Sequence, residues 1–173
     1  EQKYCHQTTY GMSERLLGAV VGVHGDDHGL IMPPAIAPIQ VVIVPVTKKD
    51  CAEEIMAASK ELQETLSSAG IRVKIDSREI RPAKKYYDWE IKGVPLRLEL
   101  GPRDLENRTA FAARRGGEKS ALSLANIVEL VNVELSEVSD WLRTRAAHNH
   151  AEIIKLMPRI SQDDNGEWSL DEE

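Results

Sequence analysis

The sequence predicts an α/β protein whose sheet is parallel in part, and three observations carry that prediction. IQVVIVPV at 39–46 is an almost unbroken β-branched run, the composition of a strand covered on both faces. Ile55, Leu62, Leu66 and Ala69 then recur at helical spacing until Gly70, and IRVKID at 71–76 alternates as a second strand. Strand, helix and strand in that order make a βαβ unit, which joins parallel neighbours. Finally, Gly116 and Gly117 separate two strand-like runs, 108–114 and 118–124, as in an antiparallel hairpin.

The remaining elements are taken in chain order. YCHQTTYGMS at 4–13 alternates loosely and suits a strand, while LLGAVVGV at 16–23 fits a buried helix or a buried strand equally well. PPAIAP at 33–38 excludes regular structure and reads as a linker between two folding units. Thr47 and Asp50 have the spacing of a capping box ahead of the long helix. Pro82 suits the first turn of a helix that runs through Trp89 to Gly93. VPLRLELGP then alternates as a third strand, with Arg97 and Glu99 on one face and Leu96, Leu98 and Leu100 on the other. One helix from about Asn126 and a longer one from about Glu134 to Lys155 complete the pattern, and the acidic SQDDNGEWSLDEE either frays or begins another unit.

Composition narrows the function classes. Hydrophobic residues make up 42% and charged residues 29%, and no apolar run approaches the roughly 18 residues of a membrane span. Cys5 and Cys51 form neither a CxxC pair nor a disulfide framework, so the chain reads as cytoplasmic. Its first residue is Glu rather than Met, and a fragment of something longer is expected. The net charge of −6 argues against a generic nucleic-acid binder, yet residues 72–119 carry 13 Lys/Arg against 8 Asp/Glu. That basic middle is either a polyanion-attracting surface or a solvated charged face.

HGDDHG at 24–29 has the ligand inventory of a metal site. His24 and His28 would share a face only if a helix ran through Gly25 and Gly29, and two glycines around two aspartates favour a turn instead. Asp26 or Asp27 would then accept backbone N–H bonds, and no metal is expected. His148 and His150 lie two apart on a predicted helix and point to different faces, which argues against a metal-dependent hydrolase.

Two long segments resemble the prolyl-tRNA synthetase family, in its archaeal and eukaryotic-like branch. QTTYGMSERLLGAVVGVHGDDHGLIMPPAIAPIQVVIVPV is similar to the end of the catalytic domain and the start of the anticodon-binding domain. RPAKKYYDWEIKGVPLRLELGPRDLENRTAFAARR is similar to the rest of the anticodon-binding domain. The resemblance implies that 1–37 closes an antiparallel class II catalytic domain, that 38–135 is an anticodon-binding domain with a mixed five-stranded sheet flanked by helices, and that 136–173 begins a C-terminal extension. Two departures stand out, Tyr10 where the family often has Trp and Ala83 where it often has Gly.

The implied activity is ATP-dependent ligation of L-proline to tRNA(Pro) through prolyl adenylate, with Mg2+ accompanying the ATP. GMSER matches the third class-defining motif, which assigns Gln7, Gly11, Ser13 and Arg15 to ATP, with Arg15 as the catalytic guanidinium on a phosphate. A planar, permanently charged fork suits that task; the bland alternative is a surface pair with Glu14. Glu99, Arg97 and Arg103, in ELGPRD, are the implied readers of the anticodon guanines, with Lys92 and Arg114 as phosphate contacts. Asp104 either joins them or holds Arg103 in a local ion-pair cluster. The resemblance further implies a homodimer formed through the rest of the catalytic domain, zinc only in a C-terminal domain outside these residues, and no activity from this segment alone. A non-catalytic accessory protein with an anticodon-binding-like fold is the alternative, and GMSER argues against it.

Overall fold

The computed structural model describes residues 3–47, 51–115, 117, 119–155, 159–162 and 165–171. Its centre is a five-stranded sheet ordered β2-β1-β3-β4-β5. Strands β1 (Val41–Pro45), β2 (Val73–Ile75) and β3 (Leu96–Leu100) are parallel, and β4 (Thr109–Arg114) and β5 (Lys119–Ser123) continue the sheet antiparallel. The mixed sheet therefore agrees with the sequence pattern, with the βαβ unit at one edge and the hairpin at the other.

All five residues of β1 are buried, as its β-branched run requires. Val41 and Ile43 face α2 (Ala52–Ser68) and α5 (Ile127–Lys155), joining Leu62, Leu66, Leu96, Leu98, Leu100, Val131 and Leu135 in the main core. Val42 and Val44 face α3 (Pro82–Ile91) and pack on Trp89. β1 is thus the spine between two cores, and each face of the sheet carries one crossover helix. Gly70 ends α2 at φ +83°, and a Cβ there would meet no atom within 4 Å. Gly70→Ala is therefore expected to cost about 1–2 kcal/mol through left-handed backbone strain alone, without repacking; urea unfolding measures it, and an unchanged midpoint would contradict it.

Four details depart from the sequence reading. Residues 4–13 form no strand; they are exposed, and no strand among the described residues lies beside them to complete a ladder. LLGAVVGV resolves as helix, within α1 (Arg15–His24), but none of its residues is buried. The two expected C-terminal helices are one: a 3-10 turn at Leu124–Asn126 leads into the 29-residue α5, because no Gly or Pro interrupts 127–155. A short helix, α4 (Pro102–Glu106), stands just past the third strand, where the sequence pattern places no element. Asp50 of the expected capping box lies outside the described residues, and α2 opens at Ala52. The acidic end contains a two-stranded hairpin, β6 (Arg159–Gln162) with β7 (Trp168–Asp171).

The proline-containing connector is stitched down rather than loose. Arg72, just before β2, donates to the carbonyls of Pro34, Ala35 and Ala37 at 3.0, 3.1 and 2.8 Å. Arg145 on α5 donates to the carbonyls of His24 and Gly25 at 3.4 and 2.7 Å, capping the end of α1. Leu30 N–H and Met32 N–H donate to the carbonyls of Ile91 and Gly93, which fixes the backbone after the turn.

Candidate nucleic-acid interface

In a strand, alternate residues face opposite ways, so burying Leu96, Leu98 and Leu100 sends Arg97 and Glu99 to the α3 side. There they form one cluster with Tyr86 of α3. Arg97 Nε donates to Glu99 Oε1 at 3.1 Å, and the Tyr86 hydroxyl donates to Glu99 Oε2 at 2.9 Å. The Arg97 guanidinium also stacks on the Tyr86 ring, 4.0 Å from its centroid. Burial, and then the bond to Glu99, push the Tyr86 hydroxyl far above its ordinary value, so it remains a donor.

Cross-strand register adds a residue that sequence reasoning misses. Arg97 pairs with Ala113 and Ala113 with Lys119, which places Lys119 on the same face, its Nζ 3.8 Å from Glu99. Only the pairing of two later strands with β3 reveals this, so no local motif could. The cluster lies across β3 on the α3 face of the sheet, with Arg97 opposite Val42 and Glu99 opposite Val44 of β1.

The other expected contacts are distributed unevenly. Arg103 is exposed at the start of α4, just past β3. Asp104 does not hold it: its Oδ2 accepts the Gly101 N–H at 2.8 Å and closes the first turn of α4. Lys92 lies with its Nζ 4.6 Å from the Trp89 centroid, a cation over a ring beside the cluster. Arg114 pairs with Leu96 and so faces the opposite side, where Glu134 and Glu137 of α5 hold it. The structure brings together Arg97, Glu99 and Lys119, leaves Arg103 exposed just past β3 and Lys92 over the Trp89 ring, and sends Arg114 to the far face.

The nucleotide residues form no comparable site. Gln7, Gly11, Ser13 and Arg15 are exposed, Gly11 has open space where a Cβ would be, and among the described residues Arg15 enters no ion pair, with Glu14 or any other residue. Tyr10 is 92% exposed, so the aromatic position of that motif packs on nothing here. A triphosphate would meet a single guanidinium and a hydroxyl without a cradle, and these residues alone do not fit ATP.

HGDDHG is a turn. Asp26 and Gly29 exchange two backbone bonds of 3.0 Å, and Asp26 Oδ1 accepts the His28 N–H at 2.9 Å. Arg115 grips the same carboxylate at 2.6 and 3.2 Å. Burial raises the Asp26 carboxyl, but the bonds from Arg115 and His28 outweigh it and leave the group below its ordinary value. Among the described residues no three His, Cys, Asp or Glu side chains converge as a metal set, and His148 and His150 are both exposed on α5.

These features define a mixed-sheet α/β module with a charged cluster on one face, and comparison with known proteins gives its family. Residues 40–145 match the family described as anticodon binding domain, and the chain belongs to that family. It is 52% identical over 163 residues to a proline–tRNA ligase of Thermococcus kodakarensis, covering 94% of this chain and 34% of that protein. It is also 52% identical over 147 residues to the proline–tRNA ligase of Methanosarcina mazei, covering 84% of this chain and 31% of that protein. The chain thus spans about a third of the length of the curated relatives it matches.

Proposed function

We propose that the chain is the part of a proline–tRNA ligase that carries the anticodon-binding domain and contributes one ATP motif. The observation that carries this reading is the Arg97–Glu99–Tyr86–Lys119 cluster on the α3 face of β3, in a domain of the anticodon-binding family. A carboxylate accepts from guanine N1 and N2, and Arg or Lys donates to O6, N7 or phosphate. Arg103 and Lys92 extend the surface toward the RNA backbone, and Asp104 serves it by shaping α4. Arg114 acts by bracing β4 against α5.

In the whole enzyme Arg15, Ser13, Gly11 and Gln7 would complete a nucleotide site whose other walls come from elsewhere in the catalytic domain, with ATP and L-proline as the reacting pair and Mg2+ accompanying the ATP. The same reading makes the enzyme a cytoplasmic homodimer joined through that domain, and among the described residues no helix is long and apolar enough to cross a membrane. Zinc, which the resemblance attaches to a C-terminal domain, is not assigned to these residues. This reading keeps a division near residue 37, whereas the one near 135 falls inside α5, which runs unbroken from Ile127 to Lys155.

The test uses the 173-residue chain and a tRNA(Pro) anticodon stem-loop at fixed salt. Binding is expected to weaken about tenfold when the anticodon guanines are replaced, as the loss of one good base contact requires. Proline-dependent exchange of pyrophosphate into ATP is expected to be absent. Equal affinity for the two RNAs, or measurable activation by this chain alone, would overturn the proposal.

A further inference from the structure

The HGDDHG turn is fastened to the α/β unit through one side chain. Arg115 comes directly after β4, and its side chain is only 8% exposed. Its terminal nitrogens reach Asp26 at 2.6 and 3.2 Å, and Nη1 lies 3.6 Å from Glu90 of α3. Its Nε is buried without a hydrogen-bond partner. The same side chain lines a cavity of about 270 Å³ shared with Arg97, Lys119 and Trp89, which adjoins the cluster described above.

A buried donor left unmade is costly, and a guanidinium already held at two corners cannot swing to satisfy its third position. An acceptor oxygen brought into the cavity that Arg115 lines offers a partner to the guanidinium N–H positions that Asp26 and Glu90 leave unfilled. RNA supplies such oxygens as phosphate or as a guanine carbonyl, and Arg97 and Lys119 favour their approach. We propose that Asp26 is a positioning residue for RNA binding: with Glu90 it fixes the Arg115 guanidinium in the cavity wall, where Arg115 donates to an RNA oxygen. The inference rests on the anticodon-binding reading above and assigns the turn a part in it.

The sign of one measurement separates this from a structural role. Removing a carboxylate near a polyanion site ordinarily tightens binding, because repulsion falls. Asp26→Asn, which keeps the shape of the side chain, is expected instead to weaken stem-loop binding roughly five- to tenfold, the size of a modest coupling between sites. Arg115→Lys should do the same with an unchanged salt slope, since the charge stays and the fork is lost. Asp27→Asn is the control: among the described residues its side chain takes part in no hydrogen bond or ion pair, and its binding should be equal or slightly tighter. Asp26→Asn behaving like Asp27→Asn, or Arg115→Lys binding as wild type, would overturn the inference while leaving the anticodon reading intact. Failure of the wild-type chain to bind the stem-loop would overturn both.

Discussion

Replacing Asp76 by Ala is expected to lower the unfolding free energy by about 3 kcal/mol at neutral pH, the cost of orphaning a buried donor and breaking a mostly buried pair. Asp76 ends the second strand segment with its side chain 1% exposed. Its Oδ2 accepts Trp89 Nε1 at 2.7 Å and Arg78 at 2.6 Å, and Oδ1 accepts the Arg78 Nε and backbone N–H. The Trp89 indole is the decisive partner, since Trp89 is buried between β1 and α3 and has no water to turn to. The Arg78 share is discounted because its guanidinium is 44% exposed and solvent takes over.

Hydrogen bonds from Arg78 hold the Asp76 carboxyl well below the usual carboxylate range, with Trp89 adding to them against the opposing effect of burial. A depressed carboxyl contributes stability that is complete above its unfolded value, near ~3.9, and is lost as pH falls below that toward the folded value. Urea unfolding at pH 7 and at pH 3 checks both halves: the gap between wild type and Asp76→Ala should narrow at the lower pH. A gap of the same size at both would show that packing, and not the charge, is what the substitution removes.

Arg97→Ala is expected to weaken stem-loop binding by about 2 kcal/mol, or roughly thirtyfold, and to reduce the salt slope by about one. The loss exceeds that of a surface cation because Arg97 is fixed between the Tyr86 ring and Glu99, so its contact needs no ordering on binding. Glu99→Gln should act differently. A carboxylate offers about four acceptor positions, on which Tyr86 and Arg97 draw while Lys119 stands 3.8 Å away, so the substitution removes acceptor capacity for guanine N1 and N2. Discrimination between guanine and other bases should fall while total affinity holds or rises. Fluorescence anisotropy with both RNAs, over a salt series, reads these effects separately. If Arg97→Ala left affinity and slope untouched, the cluster would be a brace between β3 and α3 only.

Local chemistry makes the parallel half of the sheet legible. A β-branched run, a helical repeat closed by Gly70 and an alternating IRVKID leave little freedom, and β1, α2 and β2 lie where these signals put them. Residues 16–23 are ambiguous because eight apolar residues without a partner fit either element, and 4–13 mislead because alternation signals a strand only when a neighbouring strand completes its hydrogen bonds. In α5 the apolar positions at Val131, Leu135, Val138 and Leu142 continue across the expected break, so the misplaced boundary is a spacing judgement where no breaker residue exists.

The candidate interface is legible to the extent that it lies within β3. Arg97 and Glu99 share a face by the period of a strand, which sequence spacing supplies. Lys119 and Arg115 are hidden because the register of β4 and β5 against β3 brings them in, and register is a property of pairing. Arg114 is misplaced for the same reason, one residue from Arg115 and on the opposite face. Asp26 is legible as a turn former, but its partner stands 89 residues away.

The length of α5 sets a measure for the molecule. Among the residues of α5 whose burial is described, Leu142 is the last buried one, and the helix continues to Lys155, about 20 Å further at 1.5 Å per residue. A single uninterrupted helix transmits angle as well as distance: each residue added to or removed from that span would turn the next segment by about 100° around the axis. The direction in which α5 ends is therefore set by a count of residues, in the way that a propeller shaft sets the phase of its blades.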